Sequence, residues 1–309
     1  MADSLEDLHL RAAALAHLER IAGPDRILTA EQLKAGFLYQ GERVPLINPQ
    51  RGIFKPRRMK RLLSIRTVYP RPGARVWYDD QRTVHQQIYQ SVESVDYAFM
   101  GKNPDAADNK WLREAMEAGI RVIYFIGVAP GKYMFFSTQV TEWDVASLKA
   151  RISFQPLAVS LAGATDIVAE RRYAMRAVKQ RLHQATFREA VIGAYAGRCA
   201  LSGLPERMLL DAAHIISDGD EKLGQPVIPN GIPLSKIHHA AFDANLIGID
   251  PEYRLHVASR LLDQRDGPLL ESLKALNGNL LHLPRRERDY PDRHRLAQRY
   301  DDFVKAAGA

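Results

Sequence analysis

The stretch from Cys199 to Asp243 reads CALSGLPERMLLDAAHIISDGDEKLGQPVIPNGIPLSKIHHAAFD and holds the residue types a hydrolytic site needs. His214, His238 and His239 supply imidazoles, and Asp211, Asp218, Asp220 and Asp243 supply carboxylates. An imidazole titrates near neutrality and can take a proton from water under ordinary conditions. Imidazole nitrogens and carboxylate oxygens together can also hold a divalent cation. One histidine on an apolar strand would be read as a core residue. His214 gains weight from Asn230 and His239, which follow after 16 and 9 residues.

Three elements have to bring these side chains together. Residues 209–216 read as a short buried strand with His214 aimed outward. Ser217 to Gln225 is a polar loop, Val227-Ile228 a candidate second strand, and Asn230-Gly231 a turn dipeptide. Ser235 then caps a helix carrying His238, His239, Phe242 and Asp243. Asp243 lies one helical turn after His239, on the same face. Asp211 lies three residues before His214, so ideal strand alternation sets the two on opposite faces, and Asp211 can serve only if the strand bends.

The Ala-Ala-His-Ile strand and the Asn-Gly … His-x-x-Phe-Asp ending resemble the HNH (ββα-metal) endonucleases. The resemblance implies hydrolysis of phosphodiester bonds in DNA with one divalent cation per site, Mg²⁺ or Mn²⁺. It makes His214 the general base, His239 a metal ligand, and Asn230 the residue whose amide ties the loop to the strand and orients the His214 ring. Many members place an acid immediately before the first histidine; here Ala213 stands there, so Asp211, ranked ahead of Asp243, is expected as the carboxylate ligand. Other members brace the finger with Cys-x-x-Cys knuckles. Here Ser202 follows Cys199 where the second thiol would stand, so no structural zinc is expected. Leu201, Leu204, Ile237 and Phe242 are expected to replace it by hydrophobic contact, and Cys199 to be a small buried apolar residue.

The whole chain has 309 residues, 46% of them hydrophobic and 26% charged, with a net charge of +7 and a single cysteine. That composition excludes wholesale disorder and a disulfide framework. No apolar run approaches a membrane span and the acidic start is not a secretory signal, so a cytoplasmic protein without membrane partners is expected. The charge is concentrated in residues 51–66, 171–188 and 285–299. Such clusters suit a polyphosphate. Lys55, Arg57, Arg58, Arg61, Arg176 and Arg181 are the candidates for holding DNA phosphates.

Helical spacing after Ser4 predicts a helix to about residue 22, and Thr29 opens a second. From 43 to 145 short β-branched and aromatic runs predict strands, with one helix in DNKWLREAMEAG. Residues 146–167 read as a connection with a short helix, and 168–309 as the helix-led nuclease domain. The expected fold is α+β, with residues 1–145 as a β-barrel-like domain. That half resembles the PUA/SRA-like readers (SRA, ASCH, EVE) of modification-dependent restriction enzymes through VWYDD, VIYFIGV and PGKY. Such readers flip a base out of double-stranded DNA and hold it between aromatic rings. Trp77, Tyr78, Asp79, Tyr97, Tyr124 and Tyr133 are the candidates for that task. The reading is a modification-dependent restriction or defence nuclease, acting as a homodimer or as two molecules recruited to neighbouring sites, because one finger cuts one strand. The alternatives are a non-catalytic nucleic-acid-binding protein with a structural finger and an effector nuclease switched on by a nucleotide ligand.

Overall fold

The computed structural model describes residues 4–23, 26–69, 94–155, 167–265 and 267–307. The chain divides into two compact units, Met1–Ala185 and Thr186–Ala309.

In the first unit, helix α1 (Leu5–Ile21) starts where the Ser4 hydroxyl accepts the Asp7 amide at 3.1 Å. Strand β1 (Ile27–Thr29) runs into α2 (Ala30–Ala35), whose start is a reciprocal box between Thr29 and Gln32. β2 (Phe37–Tyr39) and β3 (Glu42–Val44) form a separate hairpin. The main sheet takes β4 (Ile53–Phe54), β5 (Ser64–Thr67), β6 (Ser94–Ala98), β7 (Arg121–Ala129), β8 (Lys132–Asp144) and β9 (Lys149–Phe154). Its order is β4-β5-β7-β8-β9-β6, with β1 added to β8, and among the described strands only β5 and β7 run parallel. Helix α3 (Ala107–Glu117) sits between β6 and β7 in sequence.

Strand alternation sorts the side chains of β7 and β8 onto two cores. Val122, Tyr124, Ile126, Met134 and Phe136 join Leu112 and Ala115 of α3 on one face. Ile123, Phe125, Tyr133 and Phe135 join Leu10, Ala14 and Leu18 of α1 on the other. The result is mixed α+β, a half-barrel sheet covered on both faces by helices.

Within the stretch 146–167, read from the sequence as a connection, Lys149–Phe154 forms β9, which pairs with both β8 and β6, and residues 156–166 lie outside the described residues. The units divide within α4 (Ile167–Ala194), whose residues Met175, Val178 and Leu182 belong to the first core.

The second unit packs β10 (Leu210–His214), β11 (Gly231–Ser235) and α5 (Lys236–Asp243) around Cys199, Ala213, Ile232, Leu234 and Phe242. A second hairpin, β12 (Ile247–Ile249) and β13 (Leu255–Val257), follows. Short helices α6 (Ser259–Leu262) and α7 (Pro268–Lys274) lead to α8 (Arg293–Ala307). α8 lies so close to β12 that a Cβ on Gly248 would sit 2.5 Å from the Phe303 ring. Val227-Ile228 is not the second strand of the finger: Ile228–Asn230 is a helical turn, and the strand is Gly231–Ser235 despite Pro233. Pro233 gives β10 no amide, yet its carbonyl still accepts the Ala200 amide at 2.8 Å.

Candidate active site

His214 ends β10 directly opposite Gly231 of β11. Its ring stacks on Phe187 of α4, with centroids 4.1 Å apart and 14° between planes. Gly231 makes this approach possible. A Cβ there would lie 2.4 Å from Val191 Cγ2 and 2.7 Å from Phe187 Cζ. Without it the end of α4 reaches the strand pair, and Phe187 becomes the plate on which the His214 ring rests.

Asn230, fully buried, clasps the loop that follows His214. Its Oδ1 accepts the Ile216 amide at 2.9 Å, while Nδ2 donates to the carbonyls of Ile216 and Gln225 at 3.0 Å each. Its own carbonyl accepts the Ile215 amide at 3.0 Å. A side-chain amide thus substitutes for a strand partner where the chain leaves β10. Every polar atom of the side chain is engaged in these bonds.

Ser235 caps α5 by accepting the His238 amide at 3.3 Å, and the helix presents His239 between two carboxylates. Asp211 Oδ2 lies 3.6 Å from His239 Nδ1, and Asp243 Oδ2 lies 3.4 Å from His239 Nε2. Ideal alternation separates Asp211 from His214, and the structure turns Asp211 toward α5. His214, His239 and Asp243 line one open pocket of about 510 Å³. The loop adds Ser217, Asp218 and Asp220, and α8 adds Gln298, Arg299 and Asp302.

α8 holds the pocket shut on one side. Arg295 donates to the Leu223 carbonyl and to Gln225 Oε1, both at 2.8 Å, and so pins the loop. Arg299 lies over the Phe242 ring at 4.7 Å and donates to the Phe242 carbonyl at 2.6 Å. Burial lowers the Arg299 pKa, against the pull of Asp243 and Asp302 beside it.

Among the described residues no three His, Cys, Asp or Glu side chains form a ready-made metal cage. A hard divalent cation at a phosphate-cleaving centre does not need one, because one or two carboxylates plus waters and substrate oxygens complete its shell. The imidazole and carboxylates facing this pocket are a suitable donor set for such an ion.

Behind α5, Cys199 is fully buried in the core as expected, but it also has polar partners. Its Sγ lies 3.3 Å from His238 Nδ1 and accepts the Ser235 amide at 3.3 Å. Burial pushes the thiol up, but hydrogen bonds from His238, Ser202 and the Ser235 amide outweigh it and lower the pKa to about 6. Leu201 and Phe242 are buried around it, while Ile237 is 48% exposed and does not take part in the bracing expected of it.

Residues 199–250, which carry this clasp and both histidines of the pocket, match the HNH endonuclease family. The chain carries an HNH endonuclease domain. That domain makes it an enzyme, a nuclease, and HNH endonucleases generally work with a divalent metal. No curated protein matches the chain. Among solved structures, a modification-dependent TagI restriction endonuclease aligns with a TM-score of 0.31 at 15% identity, over 82% of this chain and 86% of that one. The Type IV phosphorothioation-dependent restriction endonuclease ScoMcrA aligns with a TM-score of 0.22 at 15% identity, over 85% of this chain and 53% of that one.

Outside the HNH domain, several sequence candidates land elsewhere than expected. Trp77, Tyr78 and Asp79 lie outside the described residues. Tyr97, Tyr124 and Tyr133 are buried in the sheet's two cores, with the Tyr124 hydroxyl 2.8 Å from Thr67 Oγ1, so these rings are core and not an open stacking platform. Lys55 lies over Trp111 and donates to the Met59 carbonyl at 3.1 Å. Arg58 bridges Glu6 and Glu42 at 3.0 Å each, and Arg61 donates to the Glu114 carbonyl at 3.1 Å. These three cations serve the fold. Arg57, Arg176 and Arg181 remain exposed. Gln298, Arg299 and Asp302 complete the pocket, and Phe187 packs against the His214 ring, without belonging to the HNH motif. The signal for Arg299 was its place in a basic tract; the other three gave none.

Proposed function

We propose that the chain is a divalent-metal-dependent DNA endonuclease of the restriction type, cutting DNA that carries modified bases. The observation that carries this reading is the meeting of His214 from β10 and His239 and Asp243 from α5 in one pocket of an HNH domain. His214 takes the proton of the attacking water, its ring held flat by Phe187 and its strand end fixed by the Asn230 clasp. His239 and Asp243 would hold the cation, and Asp211 would orient the His239 ring from its other nitrogen, as partners of metal-binding histidines commonly do. When bound, Mg²⁺ or Mn²⁺ supplies charge neutralisation at the phosphate and at the leaving oxygen. Asp211 also answers the missing acid at Ala213, since it supplies a carboxylate beside His239 from the same strand. The N-terminal unit is the DNA reader, with Arg57, Arg176 and Arg181 on phosphates, and two copies of the chain cut the two strands.

Supercoiled plasmid with and without cytosine modification, incubated with the protein and Mg²⁺ or Mn²⁺, tests the reading. Modified plasmid is expected to be nicked and linearised, and His214→Ala to lower the rate by ~10²–10⁴, the usual contribution of a general base. Equal cutting of both plasmids would remove the modification dependence. Wild-type cutting by His214→Ala would remove the assigned base, and intact DNA under every metal would remove the activity.

A further inference from the structure

The last basic tract of the sequence is only partly absorbed by the nuclease unit. Arg295 and Arg299 turn inward to the loop and to Phe242, and Arg293 stacks on Tyr253. Arg285, Arg286 and Arg288 do the opposite. All three are exposed, and the side chains of Arg285 and Arg286 make no hydrogen bond or ion pair with the described residues. With Asp289 they form one wall of a second cavity in this unit, of about 450 Å³. The facing wall is the end of α4, where Ala190, Gly193 and Ala194 present nothing larger than a methyl group. A Cβ on Gly193 would meet no atom within 4 Å, so this wall is open to a broad ligand.

The cleft adjoins the clasp. Ile228, which lines it, begins the turn that ends in Asn230. The Asp292 amide donates to the Pro229 carbonyl at 2.9 Å, so the arginine segment is tied to the same turn. Three guanidinium groups against one carboxylate, over a smooth wall, repel a cationic ligand and suit a run of phosphates. Guanidinium grips phosphate through two parallel hydrogen bonds, and such contacts set position without reading bases.

We infer that the cleft between the end of α4 and Arg285, Arg286 and Arg288 seats the phosphate backbone of the DNA duplex being cut, beyond the bond that is broken. The inference rests on the nuclease reading above, and the test separates the two. The full chain carrying His214→Ala is titrated with a short fluorescent duplex at several salt concentrations, with and without Arg285→Gln, Arg286→Gln and Arg288→Gln together. The triple change is expected to raise the Kd ~10-fold or more and to reduce the slope of log K against log salt by roughly one per arginine, about three in all. Gly193→Glu, which removes no arginine and sets a carboxylate in the cleft, is expected to weaken binding in the same direction. If the parent binds and the wild type cuts, but both changes leave Kd and slope untouched, the inference falls and the nuclease reading stands. If the chain binds duplex through these arginines yet never cuts, the cleft stands as a seat for duplex phosphates and the nuclease reading falls. If the parent does not bind duplex at all, both fall.

Discussion

Replacing Asn230 with alanine should loosen the strand end that carries His214. The change removes three hydrogen bonds at once: the Ile216 amide loses its acceptor, and the carbonyls of Ile216 and Gln225 lose their donor. Gln225 is exposed, so its carbonyl can turn to water. Ile216 is buried, and leaving its amide and carbonyl without partners costs about 1–3 kcal/mol each. Partial rehydration through the opened loop brings the expected local loss to about 2–4 kcal/mol, or roughly 30- to 700-fold in an opening equilibrium. Amide hydrogen exchange on peptides spanning Ile215 and Ile216 reads that equilibrium directly. Asn230→Asp is expected to do at least as much damage, because it keeps the acceptor but sets a second oxygen against two carbonyl oxygens. Plasmid cleavage should fall with both, since the strand end that carries His214 is then no longer fixed by the clasp. Exchange within about threefold of wild type (~0.6 kcal/mol) together with undiminished cleavage would refute the clasp as the device that positions His214.

Gly231→Ala should drive a Cβ into Phe187 and Val191, costing about 1–3 kcal/mol by overpacking, and lower cleavage more than a matched change at exposed Gly219; thermal melts and plasmid nicking check both. Chelation by EDTA should abolish cutting, and excess Mn²⁺ should restore it in the wild type but not in His239→Ala, as followed by gel assay. Asp250 offers a pH test outside the site. Burial pushes its carboxyl up, but His256 at 2.8 Å and the amides of Arg254 and Glu252 outweigh this and hold it below the usual aspartate range. A carboxyl lowered in the native state stabilises the fold above the unfolded pKa of ~3.9, and that stabilisation is lost as pH falls through the native value. Urea midpoints of wild type and Asp250→Asn should therefore differ at neutral pH and converge in acid.

The part of the site written locally was legible. His214, Asn230 and His239 fall within one short stretch, and strand, turn and helix geometry carry them to one place. What the sequence could not convey were contacts between distant segments. Phe187 reads as one more apolar residue of an amphipathic helix until Gly231 lets it against His214. Pro233 masked β11, because proline is a poor signal for a strand even where its missing amide does no harm. The basic tracts misled for another reason: charge along a chain does not reveal which carbonyls need donors. Lys55, Arg61, Arg295 and Arg299 answer such carbonyls, and Arg57, Arg285 and Arg286 do not. The aromatic residues Tyr97, Tyr124 and Tyr133 have the chemistry to stack on a base, but the cores claim them, Tyr124 and Tyr133 from the central strands β7 and β8 and Tyr97 from the buried face of the edge strand β6.

α8 bears on how such a domain could be inherited. The stretch that matches the HNH family ends at residue 250, yet one wall of its pocket comes from Gln298, Arg299 and Asp302, and its loop is latched by Arg295. At the other end, the plate beneath His214 is Phe187, ahead of the matched stretch. A recombination event that moved residues 199–250 alone would transplant the reactive side chains and leave behind what holds them. The structural unit that holds these side chains in place therefore runs from the end of α4 to α8.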